Sequence, residues 1–164
     1  MLSGKILGLL NDQIALEAYS ANLYLAMSSW CSKQGYQGSA AFLKAHAAEE
    51  SQHMLKLFDY VNETGAMAKI AAVPEPSMDF DTLTGLFTRI YEHEKEITAS
   101  INRLVDNCLK GKDFSTFHFL QWYVGEQHEE EHLFLSILEK VEMVGEEGPA
   151  VFMVDREIGS CTGR

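Results

Sequence analysis

The sequence predicts an all-α fold: a bundle of four long helices, with a long crossover between the second and third and a short fifth helix at the C-terminus. Three observations carry this. Apolar residues recur in steps of three and four through four successive segments, which is the period of an amphipathic helix and not of a strand. Only three of the 164 residues are proline, and Ala, Leu, Glu and Met are frequent, a composition that favours helix. Brief Gly-marked connections separate the segments, apart from a single long one, as in a bundle. With 46% hydrophobic and 23% charged residues, the chain reads as one globular domain over residues 1–164.

The first helix is expected over residues 4–32, with Leu10, Ile14, Ala21 and Tyr24 on one face in alternating steps of four and three. Glu17 stands in that series where a Leu belongs. Gly35 and Gly38 mark the short turn that follows, and Ser39 is the expected N-cap of the second helix. So short a turn makes the first two helices antiparallel neighbours. The second helix, residues 39–64, carries Phe42, Leu57 and Tyr60 on its apolar stripe, and the stripe passes through His46, Glu50 and His53. It should stop near Gly65. Residues 65–81, with Pro74 and Pro76, are long enough to run the length of the bundle, so helices two and three are expected to be parallel.

The third helix, residues 82–109, shows Leu83, Phe87, Ile90, Ile97, Ile101 and Leu104 on its stripe, with Glu94 in the one missing place. Glu92 and Glu96 fall off the stripe and read as solvated charges. Asp113 or Ser115 can cap the fourth helix, residues 114–144. Its stripe of Leu120, Tyr123, Phe134, Ile137 and Val141 is interrupted by Gln127 and Glu130, while Glu126 and Glu129 lie on an adjoining line beside Phe119, Trp122 and Leu133. Trp122 reads as a core residue. The bundle proper thus spans about 4–144, and residues 150–158 form the short last helix.

Charge and cysteine content exclude several classes. The net charge of -11 is wrong for a nucleic-acid surface and right for attracting cations. No window approaches the roughly 18 apolar residues of a membrane span, and the N-terminal apolar run breaks at Asn11 and Asp12, so no secretory signal is expected. Cys31, Cys108 and Cys161 form an odd set without a C-x-x-C pair, as expected of free thiols in the cytoplasm.

The stripe interruptions carry the chemistry. An ionised Glu is rarely buried unless it is paired or bound to metal. Superposed at mid-height, the four stripes bring Glu17, Glu50 with His53, Glu94, and Gln127 with Glu130 to the inward faces. One inward Glu followed by a helix with a pair three apart occurs twice along the chain. Such a set of hard oxygen donors with one imidazole suits iron, and bound cations remove the objection to burying so many acids.

On these residues the chain resembles the bacterial non-haem ferritins over almost its whole length, in Leu16-Glu17-Ala18-Tyr19-Ser20, Ala47-Ala48-Glu49-Glu50-Ser51-Gln52-His53-Met54, Phe119-Leu120-Gln121-Trp122-Tyr123-Val124 and Glu126-Gln127-His128-Glu129-Glu130-Glu131. The resemblance implies a ferritin-like bundle assembled as a homo-oligomeric cage of twenty-four subunits. It implies a dinuclear ferroxidase centre that oxidises Fe(II) with dioxygen or hydrogen peroxide and stores the ferric mineral. Glu17, Glu50 and His53 match ligands of the first iron, and Glu50, Glu94 and Glu130 those of the second. Gln127 matches a polar neighbour of the pair, and Tyr24 the family tyrosine beside it. Glu49, Glu126 and Glu129 match a third iron site. No haem is expected, because the haem-ligating Met of bacterioferritins is replaced here by Ser51. No nucleic-acid or membrane partner is expected.

Two other readings compete. A soluble di-iron oxidase or oxygenase would act on an organic substrate, and a metal-free structural bundle would leave the four stripe interruptions unexplained.

Overall fold

The computed structural model describes residues 2–161. Five helices follow one another: α1 (Gly4–Gln34), α2 (Gln37–Glu63), α3 (Leu83–Gly111), α4 (Phe114–Val144) and α5 (Ala150–Gly159). Among the described residues there is no strand, and none of the helices is long and apolar enough to cross a membrane. α1 and α4 have 31 residues each, so each is roughly 45 Å long at about 1.5 Å per residue.

Local chemistry sets most of the ends. The Ser3 and Thr82 hydroxyls and the Asp113 carboxylate accept from the backbone N–H groups of Ile6, Gly85 and Thr116, capping α1, α3 and α4. Gly35 ends α1 at φ 92°, a left-handed geometry open to glycine. The start of α2 departs from expectation. Ser39 is not its cap: the helix begins two residues earlier, and the donors of Gly38 and Ser39 are taken by the Asp155 carboxylate of α5 at 2.9 and 2.8 Å. Gly38 lies so close to the backbone carbonyl of Asp155 that a Cβ there would collide with it.

The core is split into two apolar clusters, and their membership gives the topology. One gathers Leu23, Met27 and Cys31 of α1, Phe42 and Leu43 of α2, Leu86 and Phe87 of α3, Phe134 and Ile137 of α4, and Val151 and Ile158 of α5. The other gathers Ile6, Leu10 and Ile14 with Leu57, Val61, Ile101, Leu104 and Leu120. The C-terminal halves of α2 and α3 therefore share one end of the bundle, and these two helices run parallel, as the crossover length requires. The crossover lies along the surface, pinned where Lys69 N–H donates to Asn11 Oδ1 at 2.8 Å and where Phe80 meets Trp30 edge-on. Between the two clusters lies a layer of buried polar side chains.

Candidate metal centre

Each helix of the bundle contributes to that layer from the position where its apolar stripe is broken. Glu17, Glu50, His53, Glu94, Gln127 and Glu130 are all buried, none more than 6% exposed. One oxygen of Glu17, one of Glu50 and a ring nitrogen of His53 lie within 4.8 Å of one another. His53 Nδ1 is 3.4 Å from Glu50 Oε2, as their three-residue spacing on α2 allows. Gln13, one turn before Glu17 on α1, donates to Glu17 Oε1 at 2.7 Å.

Glu94 is held on both oxygens. Tyr24 donates its phenolic hydrogen to Oε1, and Gln127 Nε2 donates to Oε2 at 2.9 Å. Glu130 Oε2 lies 3.2 Å from His46 Nε2, and the His46 ring packs between Phe42 and Phe134. Tyr123 donates to the backbone carbonyl of His53 at 2.7 Å, fixing α4 against α2 at the level of the layer.

The electrostatics of the layer are those of acids without enough cation. Burial, then the charge of Glu50, lifts the Glu17 carboxyl well above its usual range; burial, then Glu94, does the same to Glu50. Burial and the neighbouring Glu130 raise Glu94 to about 7, against the pull of its Tyr24 and Gln127 hydrogen bonds. Burial also lowers His46, but the hydrogen bond and charge of Glu130 overcome it and leave the imidazole more basic than usual. Among the described residues the ion pairs that reach this layer come from histidine, not from lysine or arginine. A divalent cation would satisfy these carboxylates, and the donor set, oxygen with one or two imidazoles, suits iron.

The proposed third group is more scattered. Glu49 and Glu129 are exposed and Glu126 is partly buried. Glu49 approaches His46 Nδ1 at 3.7 Å and Glu126 approaches His53 Nε2 at 3.7 Å. The second cluster with ligand spacing is His46, Glu49 and Glu130, so Glu49 joins the layer through His46, whereas Glu126 and Glu129 belong to neither cluster.

Sequence reasoning placed His46 on the stripe without giving it a role, and passed over Gln13 and His93. The four-residue spacing of Gln13 and Glu17 was the available signal. His93 is buried against Tyr19 and Tyr24, its Nε2 2.8 Å from Ser20 Oγ, and burial, then Arg89, lowers it to about 4. Trp122 is not in the core: it is 40% exposed, set edge-on to His53 with Lys56 Nζ 4.3 Å above its ring.

Comparison with known proteins gives one answer. The Ferritin family, described as a ferritin-like domain, matches residues 7–144. A bacterial non-heme ferritin-like protein of Haemophilus influenzae is 54% identical over 162 residues, covering 99% of this chain and 98% of that one. The bacterial non-heme ferritin of Campylobacter jejuni is 51% identical over 158 residues, 96% of this chain and 95% of its own. Among solved structures, an open pore ferritin of Archaeoglobus fulgidus superposes with a TM-score of 0.95 at 41% identity, covering 97% of this chain and 98% of that chain.

Proposed function

This chain belongs to the ferritin family as an iron-storage protein, and from that premise we propose that it is a ferroxidase, oxidising Fe(II) at a dinuclear site within each bundle. The observation that carries the reading is the buried layer itself. Four carboxylates from four helices converge there with histidine as their only ionic partner among the described residues. In this reading Glu17, Glu50 and His53 take the first Fe(II), and Glu50, Glu94 and Glu130 the second, with Glu50 shared. Iron is the substrate: each Fe(II) gives up one electron, and dioxygen or hydrogen peroxide accepts them.

The residues around the ligands have separate tasks. Gln13 orients Glu17, while Tyr24 and Gln127 fix the two oxygens of Glu94, so the carboxylates are preorganised before the ions arrive. Protons displaced from carboxyls that burial keeps partly protonated leave as the cations bind. His46 holds Glu130 and, with Glu49, forms the more exposed flank on which a third iron would sit beside Glu126 and Glu129. We further assign the chain to a single ferritin-like unit in a cytoplasmic cage of twenty-four copies, with the mineral inside.

The test is titration of the metal-free protein with Fe(II) without oxygen, followed by air, with light scattering for particle size. A cage-sized particle that oxidises about two or three Fe(II) per chain quickly and then many more slowly is the expected result. A small oligomer that stops at the first two would replace this reading with a di-iron oxidase of organic substrates.

A further inference from the structure

A groove of about 240 Å³ runs between α3 and α4 on the side of the bundle and stops at the polar layer. Thr98 and Asn102, four residues apart on α3, form one wall. Val124, His128 and Glu131 form the other from one face of α4, and Gln127 is the floor. That floor is a thin partition. Gln127 is 5% exposed, and the Nε2 that donates to Glu94 Oε2 at 2.9 Å also lies 3.5 Å from Thr98 Oγ1. A single amide side chain therefore stands between the groove and a carboxylate of the proposed iron pair. Beside the apolar Val124 and Ile101 the lining presents an exposed imidazole and amide, His128 and Asn102, a partly buried carboxylate and hydroxyl, Glu131 and Thr98, and the buried amide of Gln127, ligands that can replace the waters of a divalent cation in turn. A second cavity, beneath the crossover, is lined by Asp79 and Asp81 as well as by Arg89 and Leu23, but none of its lining residues belongs to the buried carboxylate layer.

We infer that the α3–α4 groove is the path by which Fe(II) reaches the buried carboxylates: Glu131 and His128 gather the ion, and Gln127 swings aside as the last partition. This rests on the ferroxidase reading above, which supplies the site at its end. The Glu131 carboxylate in the groove raises the local cation concentration and the rate of arrival, and salt screens that effect. The ligands at the far end do not depend on the groove, so blocking it should slow loading without changing what the site does once loaded.

Two variants and two orders of mixing test this. Val124→Trp fills the groove from an exposed wall position, and Glu131→Lys reverses the charge of the groove's one carboxylate. When metal-free protein meets Fe(II) in aerated buffer, both variants should show an initial oxidation phase about tenfold slower than the parent. The Glu131→Lys deficit should shrink as salt is added, while the Val124→Trp deficit should not. When the proteins are first loaded to equilibrium without oxygen at about two Fe(II) per chain and then mixed with oxygen, both should match the parent in rate and in iron bound. Parental rates in the first experiment would overturn the path. A slow second experiment would instead assign the groove to the oxidant, and loss of bound iron in the variants would make these residues part of the site; either overturns the inference. Failure of the unsubstituted, preloaded protein to oxidise its iron would overturn the ferroxidase reading itself, and is a different result from all of these.

Discussion

Asp155 and Glu94 are both buried carboxylates in helices of the same molecule, 4% and 1% exposed, yet their surroundings are opposite. Asp155 reaches from α5 to the first turn of α2, where it accepts from two backbone N–H groups at the positive end of that helix dipole. Its charge is answered by the fold. Glu94 faces three other acids, and the hydrogen bonds of Tyr24 and Gln127 do not stop burial and Glu130 from raising it to about 7. The contrast separates a carboxylate kept for structure from one kept for a ligand: the first has donors enough without a cation, and the second does not.

The comparison can be broken by neutralising an acid on each side. In the layer, Glu50→Gln preserves shape and removes the proposed bridging charge. Rapid Fe(II) oxidation should fall by about 100-fold or more, while the metal-free protein melts at the same temperature as the parent or higher, because a like charge has left a crowded layer. Stopped-flow absorbance and calorimetry of the same sample measure both; a variant that still oxidises at the parental rate would remove Glu50 from the site.

The second expectation concerns pH. The folded chain holds protons on Glu94 that an unfolded chain, with a carboxyl near 4.5, would release below about 7. Folded protein then binds more protons than unfolded protein across that window. This contribution to stability is complete below 4.5 and is lost as pH rises through about 7, for Glu94 an effect on the order of 3 kcal/mol. Denaturant melts of the metal-free protein between pH 5 and 8 should show the decline, which Glu94→Gln should lessen, Glu17 and Glu50 still contributing, and a bound divalent cation should flatten. An unchanged slope in the Gln variant would mean that Glu94 is answered by its neighbours as Asp155 is.

Asp155→Ala is the smallest of the three and has the opposite sign. It leaves the first N–H groups of α2 without their acceptor and should cost about 2 kcal/mol of stability, with the oxidation rate per folded chain unchanged. A denaturation midpoint equal to that of the parent would show that water replaces the carboxylate, and that the two kinds of buried acid differ less than their contacts suggest.

Much of this was legible along the chain because its causes are local. Helical periodicity acts over three or four residues, so the four long helices and the parallel crossover could be read directly. For the same reason Glu17, Glu50, His53, Glu94 and Glu130 stood out, each occupying a place on a stripe where its neighbours are Leu, Ile or Phe. Desolvation makes such a residue conspicuous before any contact is known. Asp113, one of the two caps open to the fourth helix, is equally local, whereas Thr82, expected as the first residue of the third helix, is its cap.

What the tertiary structure alone decided joins residues far apart in sequence. His46 meets Glu130 from 84 positions away, Ser20 meets His93 from 73, and Asp155 caps α2 from 117. Ser39 was mistaken for a cap because the true acceptor lies on another helix. Trp122 was mistaken for core because a helix stripe fixes the period of burial but not the rotation of the helix about its axis. That rotation is set by packing all four helices at once, and it places Trp122 at the surface together with Glu129.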